Sequence, residues 1–222
     1  MIRNKFTSVK TAKNRSKSSA NWLRRQLNDP YVKKAQEAGY KSRAAFKIIE
    51  IDNKFHLFKK GRIVVDLGAA PGGWSQIAVE KVGEGNVLAV DILDMEEIVG
   101  VKFIKQDFLA DDAQDIIINT IKNDLKKNRK CDVILSDMAA NTCGDAKTDH
   151  LRIVGILEET INFAFKILAP GGSFVGKIFQ GGASGELLQT FKQNFEIVKH
   201  FKPDSSRKES AENYIVATGF KG

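Results

Sequence analysis

Cysteine, proline and long apolar runs are all scarce in this sequence of 222 residues. Its two cysteines, Cys131 and Cys143, are too few for a disulfide scaffold or a zinc site, and we expect reduced thiols in a cytoplasmic protein. None of the four prolines lies in a candidate strand. No apolar run reaches the roughly 18–20 residues that span a bilayer, and no apolar stretch follows the basic N-terminus. We therefore expect no membrane partner and no secretory signal.

Apolar residues are nevertheless plentiful enough for one core. They make up 42% of the chain and include 14 phenylalanines, which excludes extensive disorder. The length suits a single α/β domain with a short appendage.

The net charge of +8 is concentrated at one end of the chain. Residues 1–50 contain 13 lysines and arginines against three acidic residues, whereas the rest of the chain is nearly neutral. Residues 1–20 are rich in Lys, Ser, Asn and Thr without periodicity, which predicts a flexible basic arm. Such an arm is typical of a protein that docks on a polyanion, although a solvated tail would have the same composition.

Residues 21–222 are expected to form one domain that begins with a helical extension over residues 21–55. Asp29-Pro30 is typical of a helix start, because an acidic N-cap is followed by proline at the first helical position. The extension is predicted to hold helices over residues 31–38 and 42–53.

Residues 60–222 alternate short β-branched runs with longer amphipathic segments, which predicts a Rossmann-like core. Strands are predicted at residues 63–67, 86–90, 102–105, 132–136, 173–178, 196–200 and 214–220. Helices are predicted at residues 74–82, 111–127, 150–168 and 185–194. This alternation favours an α/β fold with a mostly parallel, doubly wound sheet. The last two strands have no helix between them, so an antiparallel pair is expected at one edge.

A strand that leads through a loop of small residues into a helix marks the predicted ligand site. The segment is Ile63-Val64-Val65-Asp66-Leu67-Gly68-Ala69-Ala70-Pro71-Gly72-Gly73-Trp74-Ser75. Ala70 stands where the dinucleotide fingerprint has its second glycine, and the Lys-Ser/Thr of a phosphate-binding loop is absent. The acidic Asp66 before the turn favours a cofactor with a positively charged amino-acid end and no phosphates. S-adenosylmethionine is such a cofactor.

Two further acids follow the next two predicted strands. Asp91 ends the second strand, about 20 residues on, where a carboxylate can accept both ribose hydroxyls. Asp107 follows the third strand, where it can accept a proton from the adenine amino group. Three acids after three consecutive strands, together with the glycine loop, favour a ligand site over isolated surface charges.

The fourth and fifth predicted strands provide candidate catalytic residues. Asp137 ends the fourth strand but lacks the Pro-Pro-aromatic turn that is usual in amino-group methyltransferases, so an alcohol is the better target. An alcohol needs a base or strong orienting groups. Lys177 lies inside an otherwise apolar strand, where a lysine is costly unless it is paired or functional. The alternative is a strand-end lysine that extends to solvent.

Several segments together resemble the FtsJ (RrmJ, RlmE) family of 2′-O-ribose methyltransferases, over about nine-tenths of the chain. They are Ser42-Arg43-Ala44-Ala45-Phe46-Lys47, Asp66 to Gln76, Ser136-Asp137-Met138-Ala139, Ala169 to Lys177, Lys202-Pro203-Asp204-Ser205-Ser206-Arg207 and Glu212 to Gly219. The glycine loop alone would indicate only a methyltransferase.

The resemblance implies a class I methyltransferase fold and a catalytic tetrad with Lys177 as proton acceptor. The tetrad maps onto Lys47, Asp137, Lys177 and Glu212. The family's contacts with S-adenosylmethionine map onto Gly72, Trp74, Asp91, Asp107 and Asp137. Bacterial members of the family modify a uridine ribose in the A-loop of 23S rRNA. The implied partner is therefore the large ribosomal subunit, and we expect a monomer.

This sequence departs from the family pattern at two positions. Ala45 replaces an aromatic residue, which is expected to remove a stacking surface for RNA, and Ala140 replaces a proline, which is expected to loosen the turn after Asp137. Two other functions compete with RNA methylation. A non-catalytic RNA-binding factor would not need Lys177, and a small-molecule O-methyltransferase would not explain the basic N-terminal quarter.

Overall fold

The computed structural model of the protein describes residues 17–139, 145–179, 185–207 and 209–222. Within these ranges the helices are Lys17–Leu27 (α1), Pro30–Glu37 (α2), Ala45–Phe55 (α3), Gly73–Val82 (α4), Ala113–Asn123 (α5), Ala146–Ile167 (α6) and Gly185–Asn194 (α7). The strands are Val64–Leu67 (β1), Val87–Asp91 (β2), Val101–Lys105 (β3), Cys131–Ser136 (β4), Leu168–Phe179 (β5), Phe195–Phe201 (β6) and Glu212–Phe220 (β7).

The seven strands form one sheet in the order β3-β2-β1-β4-β5-β7-β6. The first five strands are parallel, and β7 runs antiparallel to both β5 and β6. The predicted α/β fold, a mostly parallel sheet with antiparallel strands at one edge, is confirmed.

Helices cover both faces of the sheet because its central strands are apolar on both sides. Alternate residues of β1 enter two separate clusters: Val65 and Leu67 pack with α5 and α6, whereas Val64 packs with α3 and α4. The centre of the sheet is therefore buried, and ligand sites can form at the ends of its strands.

Several element boundaries differ from the predicted ones, and two of these differences have a local reason. Helix α5 ends at Asn123 and not at Lys127, because Lys126 adopts a positive φ of 54° that a helix cannot contain. Strand β5 begins at Leu168, five residues early, because Leu168 pairs with Cys131 across an irregularity in the ladder.

The N-terminal extension contains a helix that the sequence pattern did not predict. Helix α1 begins at Lys17, so residues 17–20 of the predicted arm are helical, and Ala20 is buried. Residues 1–16 of that arm lie outside the described part of the chain. In the described ranges, no helix combines the length and apolar character that crossing a membrane requires.

Candidate active site

The carboxyl ends of the parallel strands open into a cleft of about 790 Å³. Asp91 at the end of β2, Asp107 after β3 and Asp137 after β4 all line this cleft. Parallel strands bring their carboxyl ends to one edge of a sheet, which is why acids far apart in sequence meet here.

A close approach between two loops forms the floor of the cleft. Gly68 follows β1 with a φ of +75°, and a β-carbon at this position would lie 2.8 Å from Cγ of Met138 and 2.9 Å from its backbone nitrogen. Only glycine accommodates this combination of positive φ and proximity. The loop after β1 and the loop after β4 are thereby packed against each other.

The carboxylate of Asp91 is held in place by backbone groups on both sides of the cleft. Oδ2 accepts a hydrogen bond from the amide of Ala70 at 2.8 Å, and Oδ1 accepts one from the amide of Leu93 at 2.8 Å. Each carboxylate oxygen has a further lone pair. Asp91 can therefore bind hydroxyls of a ligand without giving up either backbone bond.

Gly72 and Trp74 lie at the start of α4, next to the residues that line the cleft. The Trp74 ring is buried, packs 5.5 Å from the Tyr214 ring and donates from Nε1 to the carbonyl of Ala44 at 2.9 Å. Gly72 is the N-cap of α4 and makes no side-chain cap. The first amides of α4 are the groups that this end of the helix can offer to an anionic ligand.

Asp66 is completely buried and does not line the cleft, so its expected contact with a ligand is wrong. Its Oδ2 accepts a hydrogen bond from Oγ of Ser75 at 2.6 Å, and its Oδ1 is buried without a partner among the described residues. Burial, together with the charges of Asp137 and Asp91, raises the pKa of Asp66 to about 7 against the opposing hydrogen bond from Ser75.

Acids outnumber bases among the charged residues that line the cleft. The acids are Asp91, Asp107, Asp137, Glu158 and Glu159, and the base is Arg152. A pyrophosphate would be repelled here, whereas a ligand with an adenosine and cationic groups fits this set of oxygen acceptors.

Two ion pairs lie next to the cleft, and they contain the four residues of the predicted tetrad. Nζ of Lys177 lies 2.8 Å from Oδ1 of Asp137 and donates to the main-chain oxygen of the same residue at 2.7 Å. Nζ of Lys47 lies 2.5 Å from Oε1 of Glu212. The lysine side chains are only 10% and 12% exposed, so both cations depend on their partners.

Tyr214 joins the two ion pairs, and sequence reasoning missed it as a site residue. Its buried hydroxyl lies 3.0 Å from Oδ1 of Asp137 and 3.0 Å from Oε1 of Glu212, and it accepts from Nζ of Lys47 at 3.2 Å. Burial, followed by the two carboxylates, raises the pKa of Tyr214 well above its usual value, so the hydroxyl stays protonated. Its position two residues after Glu212, hence on the same face of the strand, is the signal that could have identified it.

The two departures from the family pattern have different outcomes. Ala45 is fully buried in α3, so this alanine offers no surface on which an RNA base could stack, and the effect of the replacement stays a prediction. Ala140 lies outside the described residues.

Comparisons with known proteins bear on the family and the fold of this chain. The sequence model of the FtsJ-like methyltransferase family matches residues 40–220. Ribosomal RNA large subunit methyltransferase E of Paramagnetospirillum magneticum is 53% identical over 99% of this chain and 90% of that protein. The protein of the same name from Rickettsia bellii is 52% identical over 99% of this chain and 96% of that protein. The crystal structure of a ribosomal RNA methyltransferase from Plasmodium falciparum superposes with a TM-score of 0.72 at 31% identity, covering 82% of this chain and all of that one.

Proposed function

This chain belongs to the FtsJ-like methyltransferase family, and from its site we propose that it methylates a ribose 2′-hydroxyl of 23S rRNA in the large ribosomal subunit with S-adenosylmethionine. Asp137 carries the proposal, because it lines the acidic cleft and also binds Lys177. One residue thereby links a site for an adenosine-containing cation to a site for an alcohol. The target is a uridine in the A-loop, as in the family's bacterial members.

Different residues at the cleft bind different parts of the cofactor. S-adenosylmethionine, when bound, supplies a methyl group activated by the positive sulfur. Asp91 binds the ribose hydroxyls, Asp107 binds the adenine amino group, and Asp137 binds the methionine ammonium. The amide of Trp74 in the first turn of α4 binds its carboxylate. Gly72 is the N-cap beside it, and its own amide donates to the carbonyl of Ala69 at 2.7 Å.

The lysines and acids beside the cleft handle the hydroxyl of the RNA. Lys177 orients that hydroxyl and, in its neutral amine form, accepts the hydroxyl proton as the oxygen takes the methyl group from the cofactor sulfur. Asp137 fixes the Lys177 side chain from the side of the cleft. Lys47 and Glu212 form the second ion pair. The Tyr214 hydroxyl connects it to the first through hydrogen bonds with Asp137 and Glu212.

The charge distribution supports a large polyanionic substrate. Residues 1–50 carry 13 basic residues against three acids, and the relatives named above are methyltransferases of large-subunit rRNA. We assign the basic end of the chain to RNA phosphates, and we assign the protein to the cytoplasm as a monomer.

Transfer of labelled methyl groups from S-adenosylmethionine tests the proposal. Large-subunit particles from cells that lack this activity, protein-free 23S rRNA and small phenols are offered in parallel. We expect labelled 23S rRNA that resists alkaline cleavage at one uridine of the A-loop, because a 2′-O-methyl group removes the attacking hydroxyl.

The competing functions give different results in the same assay. Labelled phenols without labelled RNA would indicate a small-molecule O-methyltransferase. Tight RNA binding without label in any substrate would indicate a non-catalytic RNA-binding factor, and either result contradicts the proposal.

A further inference from the structure

Asp29 holds two arginines from distant parts of the chain with one buried carboxylate. Its Oδ1 accepts a hydrogen bond from the amide of Tyr31 at 3.0 Å, which is the ordinary role of the N-cap of α2. Its Oδ2 binds Nη1 of Arg43 and also Nε of Arg207, the latter at 3.0 Å. The Asp29 side chain is 6% exposed. The cap needs only one oxygen, so the second serves another purpose.

The first arginine leads to Lys47. Arg43 lies in the turn before α3, four residues ahead of Lys47, and its Nη2 donates to the carbonyl of Ser205. The guanidinium is largely buried, which lowers the pKa of Arg43 and makes its pairing with Asp29 necessary. The start of the helix that carries Lys47 is thus fixed by Asp29.

The second arginine leads to Glu212. Arg207 lies in the loop between β6 and β7, and the same loop is held by Glu50 of α3, which accepts from the amide of Ser205 at 3.1 Å. On its other side the loop contacts the site, because Oγ of Ser206 lies 3.5 Å from Oε1 of Glu212. Asp29 therefore binds one arginine on each side of the Lys47–Glu212 ion pair: Arg43, ahead of the helix that carries Lys47, and Arg207, in the loop that contacts Glu212.

We propose that Asp29 is a positioning residue for the Lys47–Glu212 ion pair, acting through Arg43 and Arg207. Without its carboxylate, two neighbouring guanidinium groups would repel each other. The α3 start and the β6–β7 loop would then shift relative to each other, because in the part of the chain that the structure describes only the bonds of Ser205 with Arg43 and Glu50 would still join them. The helical extension is then part of the framework of the catalytic site as well as an RNA-binding appendage. This inference rests on the proposed function, which assigns Lys47 and Glu212 to the reaction.

Asp29→Asn tests the inference, because the amide oxygen can still cap α2 while the charge that binds the arginines is lost. We expect kcat at saturating RNA and S-adenosylmethionine to fall by about tenfold to a hundredfold, the usual cost of misplacing a catalytic group. The KM for RNA and the affinity for S-adenosylmethionine should stay within about twofold. Glu37→Gln is the matched control, since it removes an exposed ion pair from α2 without changing a contact of Asp29 with Arg43 or Arg207.

Repeating the Asp29→Asn substitution in a Glu212→Gln protein separates a positioning role from a general loss of stability. In a Glu212→Gln protein the pair is already broken, so adding Asp29→Asn should lower kcat little further. All rates are measured well below the thermal midpoint of each variant. Arg207→Gln keeps the bond between Asp29 and Arg43 but loses the loop-side contact with Asp29 and the bond to Gln26. It should give the same pattern more weakly and serves if Asp29→Asn does not fold.

Three results would overturn the inference. An equal fall of kcat in both backgrounds would mean a purely structural role, and a raised KM for RNA with unchanged kcat would mean that the extension only binds substrate. If Glu212→Gln itself leaves kcat unchanged, the tetrad assignment fails first and this inference fails with it. A fall of kcat with Asp29→Asn that disappears in the Glu212→Gln background supports it.

Discussion

Tyr214 turns two separate ion pairs into one connected cluster. Its hydroxyl has a single proton to share between Asp137 and Glu212, while it accepts a bond from Lys47. The cluster contains two cations and two anions, so it is neutral as a whole and can be buried at modest cost. This arrangement fixes both lysine side chains in place before substrate arrives.

In the proposed reaction, Lys177 is the residue on which methyl transfer depends most directly. Lys177→Ala should lower turnover by about 10²–10⁴, the usual range for one general base, with little change in the affinity for S-adenosylmethionine. Lys177→Arg should be almost as poor, because a guanidinium does not take part in proton transfer near neutral pH.

The measurement for both Lys177 variants is single-turnover methyl transfer at saturating RNA. Lys199→Ala, at an exposed lysine of edge strand β6, is the control. More than a third of wild-type turnover in Lys177→Ala would contradict its role.

Asp66 should make stability depend on pH in an identifiable way. The pKa of Asp66 is raised to about 7 in the folded protein. Its contribution to the free energy of unfolding is therefore fully present below about pH 4 and is lost as the pH rises through 7. Asp66→Asn cannot ionise and escapes this loss. Its unfolding free energy relative to wild type should therefore rise between pH 4 and 8, by roughly 4 kcal/mol at most.

Urea unfolding of both proteins across this pH range measures the difference. Asp115→Asn, at an exposed aspartate of α5, is a control for replacing an acid. A difference between Asp66→Asn and wild type that stays constant with pH would show that Asp66 does not ionise as described.

At the scale of elements, the approach of the β1–α4 loop to the loop after β4 shapes the cleft. Gly68→Ala should lose about 1–3 kcal/mol from the positive φ and additionally push Met138 away. Gly61→Ala is a matched control, because Gly61 has a similar φ of +80° and nothing within 4 Å of the added carbon.

Chemical denaturation and calorimetric titration with S-adenosylmethionine distinguish the two variants. Both should be destabilised by backbone strain, but only Gly68→Ala should also lose cofactor affinity. Equal affinities would mean that the contact between the loops does not shape the cleft.

Most elements of the core could be predicted from the sequence because each depends on local pattern. The β-branched runs identified the strands, and the acids Asp91, Asp107 and Asp137 were correctly expected to meet at the carboxyl ends of the sheet. The family resemblance implied that Lys47 and Glu212 belong to the site, but it did not give their pairing.

What could not be predicted depends on contacts across long stretches of chain. Tyr214 reaches the site through its register opposite Lys177, and Arg207 meets Asp29 across 178 residues. The burial of Asp66 depends on how α4 packs on β1, which a strand-end position alone does not specify.

At the scale of the whole molecule, the basic end divides into two parts with different roles. Residues 1–16 carry five basic residues and no acid, whereas α1 is joined to the β6–β7 loop by a bond from Arg207 to Gln26 at 3.3 Å. A deletion that probes RNA binding alone should therefore stop at residue 16.

Deleting residues 2–16 should flatten the salt dependence of RNA binding. Each single-strand phosphate contact contributes about 0.7 log units to the slope, so the slope should fall by up to about 3.5. Binding of S-adenosylmethionine and kcat at saturating RNA should not change. Titrations of labelled rRNA at several salt concentrations give the slope, and an unchanged slope would make the segment a solubilising tail.

The strand order also governs when the enzyme becomes complete during its own synthesis. A ribosome delivers β6 before β7, yet in the finished sheet β7 separates β6 from β5. β6 therefore has no neighbour in the sheet until β7 has entered between them, and the edge of β5 stays open until then. Glu212 and Tyr214 arrive with that strand, so a nascent chain has Lys177 and Asp137 but not the second ion pair. The group formed by Lys47, Asp137, Lys177 and Glu212 is therefore completed only when β7 joins the sheet.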